Sequence, residues 1–228
     1  MREWLQRASV DQLVNAAIGN DPSLADVIRM VHPKPTDAER EALYAWVIGK
    51  PYDGAKLPEM LRAYEGFKRD AQGELPALPF QYFTSLPLNA AQWTVLARRV
   101  SWQSLRMNLN TFARNGVFED AKAVAMIAER LRHPESIRRA RVFPYQLLTA
   151  FQATSKLPNE IGVALQDAME IATRNVPKLE GDVVVAVDVS GSMASPVTGH
   201  RKGATTTTRA ERSTTLVAAP FHQCENAP

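Results

Sequence analysis

The residues best placed to do chemistry are Asp188, Ser190 and Ser192, at alternate positions of Asp188-Val189-Ser190-Gly191-Ser192-Met193. One carboxylate and two hydroxyls supply only hard oxygen donors, which suits a divalent cation such as Mg2+ that takes oxygen ligands and keeps waters. The same residue types also form an ordinary capped turn at a strand end, because Ser and Asp bond readily to nearby backbone groups. A second chemistry lies in charge. From Arg98 to Arg141, ten Arg or Lys stand against four Asp or Glu. Such a local excess can neutralise phosphates, and Arg138, Arg139 and Arg141 are its densest part. The competing reading is a set of solvated helix faces.

Enzymatic readings of these residues fail on residue type. A serine-hydrolase elbow requires Gly-x-Ser-x-Gly, whereas Asp188 stands two positions before Ser190. A haloacid-dehalogenase-like phosphatase places a second aspartate two positions after its nucleophile. Ser190 occupies that place and is no general acid at neutral pH. There is no Gly-x-x-x-x-Gly-Lys phosphate loop, and His32, His133, His200 and His222 are scattered. The expectation is a protein that is not an enzyme.

The elements that must position these groups fall into two styles. From Val10 to Val176 the pattern is helix after helix. Asp21-Pro22 predicts an N-cap followed by Leu24, Val27, Ile28 and Val31 at helical spacing, stopped by Pro33 and Pro35. Thr36 with Glu39 predicts a capping box, then a stripe of Leu43, Trp46 and Val47 ended by Gly49 and Pro51. Ser101 predicts the cap of one helix bearing Leu105, Leu109 and Phe112, with Gly116 past its end. Further helices are marked by Ala123, Val124, Ile127, Ala128 and Leu131, stopped by Pro134, and by Ile161, Leu165, Ala168, Met169 and Ala172. Trp93, Trp102, Phe112 and Met126 are expected in the core. Arg138, Arg139 and Arg141 are expected to enter a helix beginning near Pro144. Short amphipathic helices bury their stripes against neighbours, which predicts a mainly α fold, a HEAT-like α-solenoid.

At Gly181 the style changes. Asp182 to Val187 is a β-branched run suited to a buried parallel strand, which puts Asp188 at its carboxyl end, where α/β folds hold ligands. Only 48 residues follow position 180, and one βαβ unit takes about 30 or more. The predicted organisation is therefore a helical region over 1–179 and an incomplete α/β segment over 181–228.

Composition sets the outer bounds. The chain has 228 residues, 45% hydrophobic and 22% charged, with net charge +3, which describes a globular protein. It has no apolar run near membrane-spanning length, no apolar leader at its start, and one cysteine, Cys224. The expectation is a cytoplasmic protein that does not use a membrane.

Five ordered stretches carry a resemblance to the Ro/TROVE family: 27–35, 43–52, 107–118, 140–148 and 185–193. Asp188-x-Ser190-x-Ser192 after a valine-rich strand also resembles the metal-ion-dependent adhesion motif of von Willebrand A domains. The family resemblance runs from about Trp4 to Gly203. It implies HEAT-like repeats closed by a von Willebrand A-type domain, binding small structured Y-like RNAs and the 3′ ends of misfolded RNAs. It also implies RNA quality control, in bacteria alongside a 3′ exonuclease, with no role for DNA. Carried over to His32-Pro33-Lys34-Pro35, it implies that His32 contacts RNA, with Arg29 and Lys34 as phosphate partners. Taken without the family, His32 reads first as a helix-terminal residue resting on last-turn carbonyls, and the family context reverses that. The family's later metal ligands, a threonine and an aspartate, find no match here, and Pro220 interrupts the helix suggested by Leu216 to Ala219. The expectation is a copy shortened at both ends. The alternative reading is a protein-interaction scaffold that uses a divalent cation at Asp188, Ser190 and Ser192.

Overall fold

The computed structural model describes residues 1–154, 156–176, 188 and 190–195, and these are helical or irregular, with no strand among them. The predicted strand over 182–187 and the predicted boundary at 179–181 lie outside the described residues. The chain divides into two compact units between Leu88 and Asn89, a division within the helical region that periodicity does not announce.

The first unit holds α1 (Arg2–Arg7), α2 (Val10–Ala16), α3 (Leu24–Val31), α4 (Ala38–Ile48) and α5 (Glu59–Asp70), with 3-10 turns at Gly54–Lys56 and Phe80–Phe83. Leu5, Leu13, Leu43, Leu61 and Phe83 are fully buried, each side chain contributing about 1.5–3 kcal/mol by leaving water. Tyr64 meets Tyr82 and Phe83 edge-on at ring separations of 5.5 and 5.8 Å. The phenols find backbone acceptors: Tyr44 donates to Leu5 O at 2.6 Å, Tyr64 to Tyr82 O at 2.7 Å and Tyr82 to Val14 O at 2.9 Å. Arg40 adds bonds to Leu5 O and Ala8 O at 2.6 and 2.9 Å, tying α4 to the end of α1.

The second unit holds α6 (Ala90–Arg99), α7 (Trp102–Met107), α8 (Leu109–Arg114), α9 (Ala121–Leu131), α10 (Pro134–Ala140), α11 (Pro144–Ala153) and α12 (Asn159–Ala172). Helix α12 packs along α9 and α11 and touches α10. Its buried face includes Ala164, Ala168 and Ala172, small enough to admit neighbouring helices closely. Phe112 and Ile127 are fully buried. Arg130 donates to the carbonyls of Ala97 and Val100, closing the carboxyl end of α6.

Several helix ends differ from expectation. Ser23, not Asp21, caps α3, and Asp37, not Thr36, caps α4, accepting from Arg40 N at 2.7 Å. Thr36 Oγ1 instead donates to Asp37 at 2.8 Å. In α4 the buried residues are Ala42, Leu43 and Tyr44, while Trp46 and Val47 are half-buried. The single helix expected after Ser101 is two, α7 and α8, broken at Asn108. Its side-chain amide donates to Ser104 O at 2.8 Å, sharing that carbonyl with its own backbone N–H at 3.1 Å. Trp93, Trp102 and Phe112 are buried as expected, but Met126 is only half-buried. Arg138 and Arg139 lie within α10, and Arg141 ends it; they do not lead into α11.

Candidate nucleic-acid interface

In the first unit the candidate residues gather where α3 ends. Ser23 Oγ accepts from Asp26 N at 3.2 Å and donates to Asp26 Oδ2 at 2.6 Å. That hydroxyl, aided by Arg29, holds the Asp26 carboxyl below its ordinary range despite partial desolvation. Leu24 and Ile28 anchor the helix in the core. It stops on His32 at φ 48° and ψ 59°, the left-handed region that ordinarily falls to glycine. The ring is exposed, with Nδ1 3.4 Å from Met30 O, beyond the usual hydrogen-bond distance. The last-turn contact expected of an inert helix-terminal histidine is thus weak.

Arg29 is partly committed: Nη1 pairs with Asp26 at 3.2 Å, and Nη2 donates to Ile48 O at 2.9 Å, joining α3 to the end of α4. Arg29, His32, Pro33 and Pro35 line an open groove of about 340 Å3 together with Glu41 and Lys50. Lys34 is exposed beside it and is not part of its wall, and its carbonyl accepts from Gln6 Nε2 at 3.1 Å. Lys50 is the residue sequence reasoning missed. It follows the left-handed Gly49, and its N–H returns to Ala45 O at 2.9 Å, so the turn that ends α4 brings it to the groove.

In the second unit the candidate residues gather at the end of α10. His133 caps the helix through Nδ1, which accepts from Ser136 N at 3.3 Å, and Ile137 is buried. Arg138 pairs with Glu135 at 2.5 Å. Arg139 and Arg141 are exposed and have no ion-pair partner among the described residues. Arg141 closes the helix at φ 48° and ψ 37°. Two residues later Phe143 stacks on Tyr145, ring centroids 6.3 Å apart and planes 12° from parallel, with both residues half-buried. This aromatic pair was also missed. Its only sequence signal is the Phe143-Pro144-Tyr145 spacing beside arginines.

The basic excess between Arg98 and Arg141 is thinner as a surface than as a count. Arg106 donates to Gln146 O at 2.8 Å and Arg130 closes α6, and burial lowers the pKa of both guanidinium groups. Arg132 pairs with Glu129 and Asp167 at 3.4 and 3.5 Å. These are structural uses of positive charge.

At the oxygen motif, Asp188 Oδ1 accepts from Ser190 N at 2.8 Å, which holds its exposed carboxyl below the ordinary range. The Ser190 and Ser192 hydroxyls lie 3.0 Å apart. That separation is a hydrogen bond between the two hydroxyls, and with the carboxylate they make a set of hard oxygen donors of the kind Mg2+ takes. No cluster of three or more His, Cys, Asp or Glu stands ready for a metal among the described residues, and no described helix is long and apolar enough to cross a membrane.

Comparison with known proteins bears on both groups. The TROVE domain family matches residues 84–218, a span containing Arg138, Arg139, Arg141, Asp188, Ser190 and Ser192 but not Arg29, His32 or Lys34. The chain is similar to the RNA-binding protein RO60 of Deinococcus radiodurans, 30% identical over 201 residues, covering 75% of this chain and 36% of that protein. It is similar in fold to the crystal structure of the Deinococcus radiodurans RO (RSR) protein, with TM-score 0.52 and 24% identity, over 78% of this chain and 41% of that one. The chain thus spans about two fifths or less of the length of these relatives.

Proposed function

Because the chain belongs to the TROVE domain family, we propose that it is an RNA-binding protein that holds small structured RNAs of the Y-like kind. The observation that carries this reading is the convergence of Arg29 and His32 on one groove, with the His32 ring displayed from a left-handed cap. A guanidinium beside an imidazole offers a phosphate partner and a flat face for an unpaired base. Lys34 and Lys50 add charge at its margin, and Arg138, Arg139 and Arg141 form the second contact region. The proposed fold is HEAT-like repeats joined to a von Willebrand A-type segment. Misfolded RNA 3′ ends and a 3′ exonuclease are the further proposed partners, in RNA quality control in the cytoplasm, with binding and no catalysis as its part.

Retention of a structured small RNA with a single-stranded 3′ end, measured across a salt series, tests the reading. Binding should fall steeply with salt, since phosphate neutralisation releases counterions. His32→Ala should weaken it about tenfold, in line with losing one base contact of about 1–3 kcal/mol. Arg138→Ala with Arg139→Ala should flatten the salt slope by up to about two. Absence of binding by the folded chain at low salt would remove the proposal.

The all-oxygen donor set of the motif supports a second reading, a protein-interaction scaffold whose cation is held by Asp188, Ser190 and Ser192. A bound divalent ion would supply a Lewis-acidic point for a partner's carboxylate. Partner binding that requires Mg2+ and survives loss of Arg138 and Arg139 would favour it over RNA.

A further inference from the structure

We infer that the second unit carries a stacking subsite for unpaired RNA bases, in which Phe143 and Tyr145 receive a base and Arg139 and Arg141 hold the adjoining phosphates. The inference rests on the RNA-binding reading above and adds to it the place where single-stranded RNA is held. Three features converge. The rings lie 12° from parallel, whereas Tyr64 with Phe83, Phe67 with Phe83 and Trp93 with Phe112 meet at 88°, 84° and 71° in the interior. Core rings interlock edge to face, while a near-parallel, half-buried pair offers the geometry on which a flat base adds to the stack.

The second feature is charge beside the rings. Arg141 is two residues from Phe143, and Arg139 is exposed on the last turn of α10. The acid on the same helix, Glu135, is engaged by Arg138. Arg106, donating to Gln146 O in the first turn of α11, adds positive charge next to Tyr145.

The third is rigidity. Asn175 Nδ2 donates to Val142 O at 2.8 Å and Ile137 O at 3.3 Å, spanning the turn that carries Arg138 to Arg141. Phe143 N donates to Gln146 Oε1 at 2.9 Å, and Pro144 opens α11 directly after it. A contact surface fixed in advance loses little entropy on binding. An acidic peptide would use the arginines but gain nothing from the flat face, so the rings favour nucleic acid.

The test uses the full chain, a fluorescent oligouridine and a blunt RNA hairpin with no single-stranded end, read by anisotropy. Tyr145→Leu should weaken oligouridine binding about tenfold, the size expected for losing one base–aromatic stack, and leave hairpin binding within about twofold. Tyr145→Phe, which keeps the ring, should retain oligouridine binding. Ultraviolet cross-linking of oligouridine to the unaltered chain should place adducts on Phe143 or Tyr145, a readout that does not depend on a variant folding. Equal oligouridine binding by Tyr145→Leu, or adducts confined to other segments, would overturn the inference. So would displacement of oligouridine by polyglutamate with the same dependence on Tyr145. Hairpin binding without oligouridine binding would sink the inference and leave the RNA-binding reading standing; binding of neither would sink both.

Discussion

Helix α3 in the first unit ends on His32, and α10 in the second ends on Arg141, both at φ 48°. At Gly49 and Gly116 the chain meets the same backbone demand with the residue that satisfies it without strain. At Gly49 no atom lies within 4 Å of where a Cβ would sit, so conformation alone explains the glycine there. Ala71, also left-handed, is accounted for by its buried methyl. His32 and Arg141 have neither excuse, since both side chains are exposed. Strain kept under an exposed, ligand-competent side chain is a reason to look for function there. The surroundings then set the two apart. His32 opens on a groove that also holds the acid Glu41, while Arg141 adjoins stacked rings and the acid of its own helix, Glu135, is paired with Arg138.

The largest expected effects separate these displayed cations from the ones each unit uses internally. Arg40 in the first unit and Arg130 in the second each donate to two backbone carbonyls of a neighbouring helix end. Arg40→Met and Arg130→Met should each lower unfolding free energy by about 2–3 kcal/mol, because charged hydrogen bonds are lost and all of these carbonyls but Leu5 O, which Tyr44 still serves, lose their side-chain donor. Urea denaturation measures the loss, and the salt dependence of RNA binding should not change. A loss under about 0.5 kcal/mol in either variant would end the comparison between structural and displayed arginines.

The packing of the first unit should also show in alkali. Burial, with the neighbouring Tyr64, pushes the Tyr82 phenol up to about 12, and burial likewise raises Tyr44 and Tyr64. A phenol whose folded pKa exceeds its unfolded value near 10 stabilises the fold fully below pH 10. For Tyr82 that contribution is lost as pH rises from about 10 to about 12. Phenolate absorbance should therefore show a delayed fraction that titrates together with loss of tertiary structure, and Tyr82→Phe should remove part of that fraction. Titration of all tyrosines near 10 with the fold intact would contradict the packing of the first unit.

Legibility in the sequence followed the range of the interaction. The Ser101 cap, the Gly49 stop and the apolar faces of α9 and α12 were readable because cap, turn and period all act within a few residues. Asn108 was not. Leu105, Leu109 and Phe112 keep helical spacing across it, and the side-chain bond to Ser104 O at the break is one that periodicity does not register. Arg106 and Arg130 count toward the basic excess in the sequence, because their carbonyl acceptors lie 30 or more residues away. Of the candidate site, Arg29 and His32 line one groove and Lys34 does not, while Lys50 and the Phe143–Tyr145 pair depend on turns whose outcome the sequence leaves open.

The smallest expected effect probes the caps themselves. A left-handed non-glycine residue costs about 1–2 kcal/mol, and glycine gives back about 0.5–1 kcal/mol through its freer unfolded chain. His32→Gly should thus raise stability by about 0.5–1 kcal/mol while weakening RNA binding. Arg141→Gly relieves the same strain but also removes a cation from a helix carboxyl end, where it contributes about 0.3–1 kcal/mol through the helix dipole. Its net gain should therefore fall to about 0–0.5 kcal/mol. Thermal melts at low salt and again at high salt separate the two contributions, since screening removes the dipole part and should move the Arg141→Gly gain toward that of His32→Gly. If both variants lose stability, the side chains are holding their helix ends in place and the functional reading of the left-handed caps is wrong. If both gain stability and lose RNA, the strain at each cap is kept for the side chain it displays.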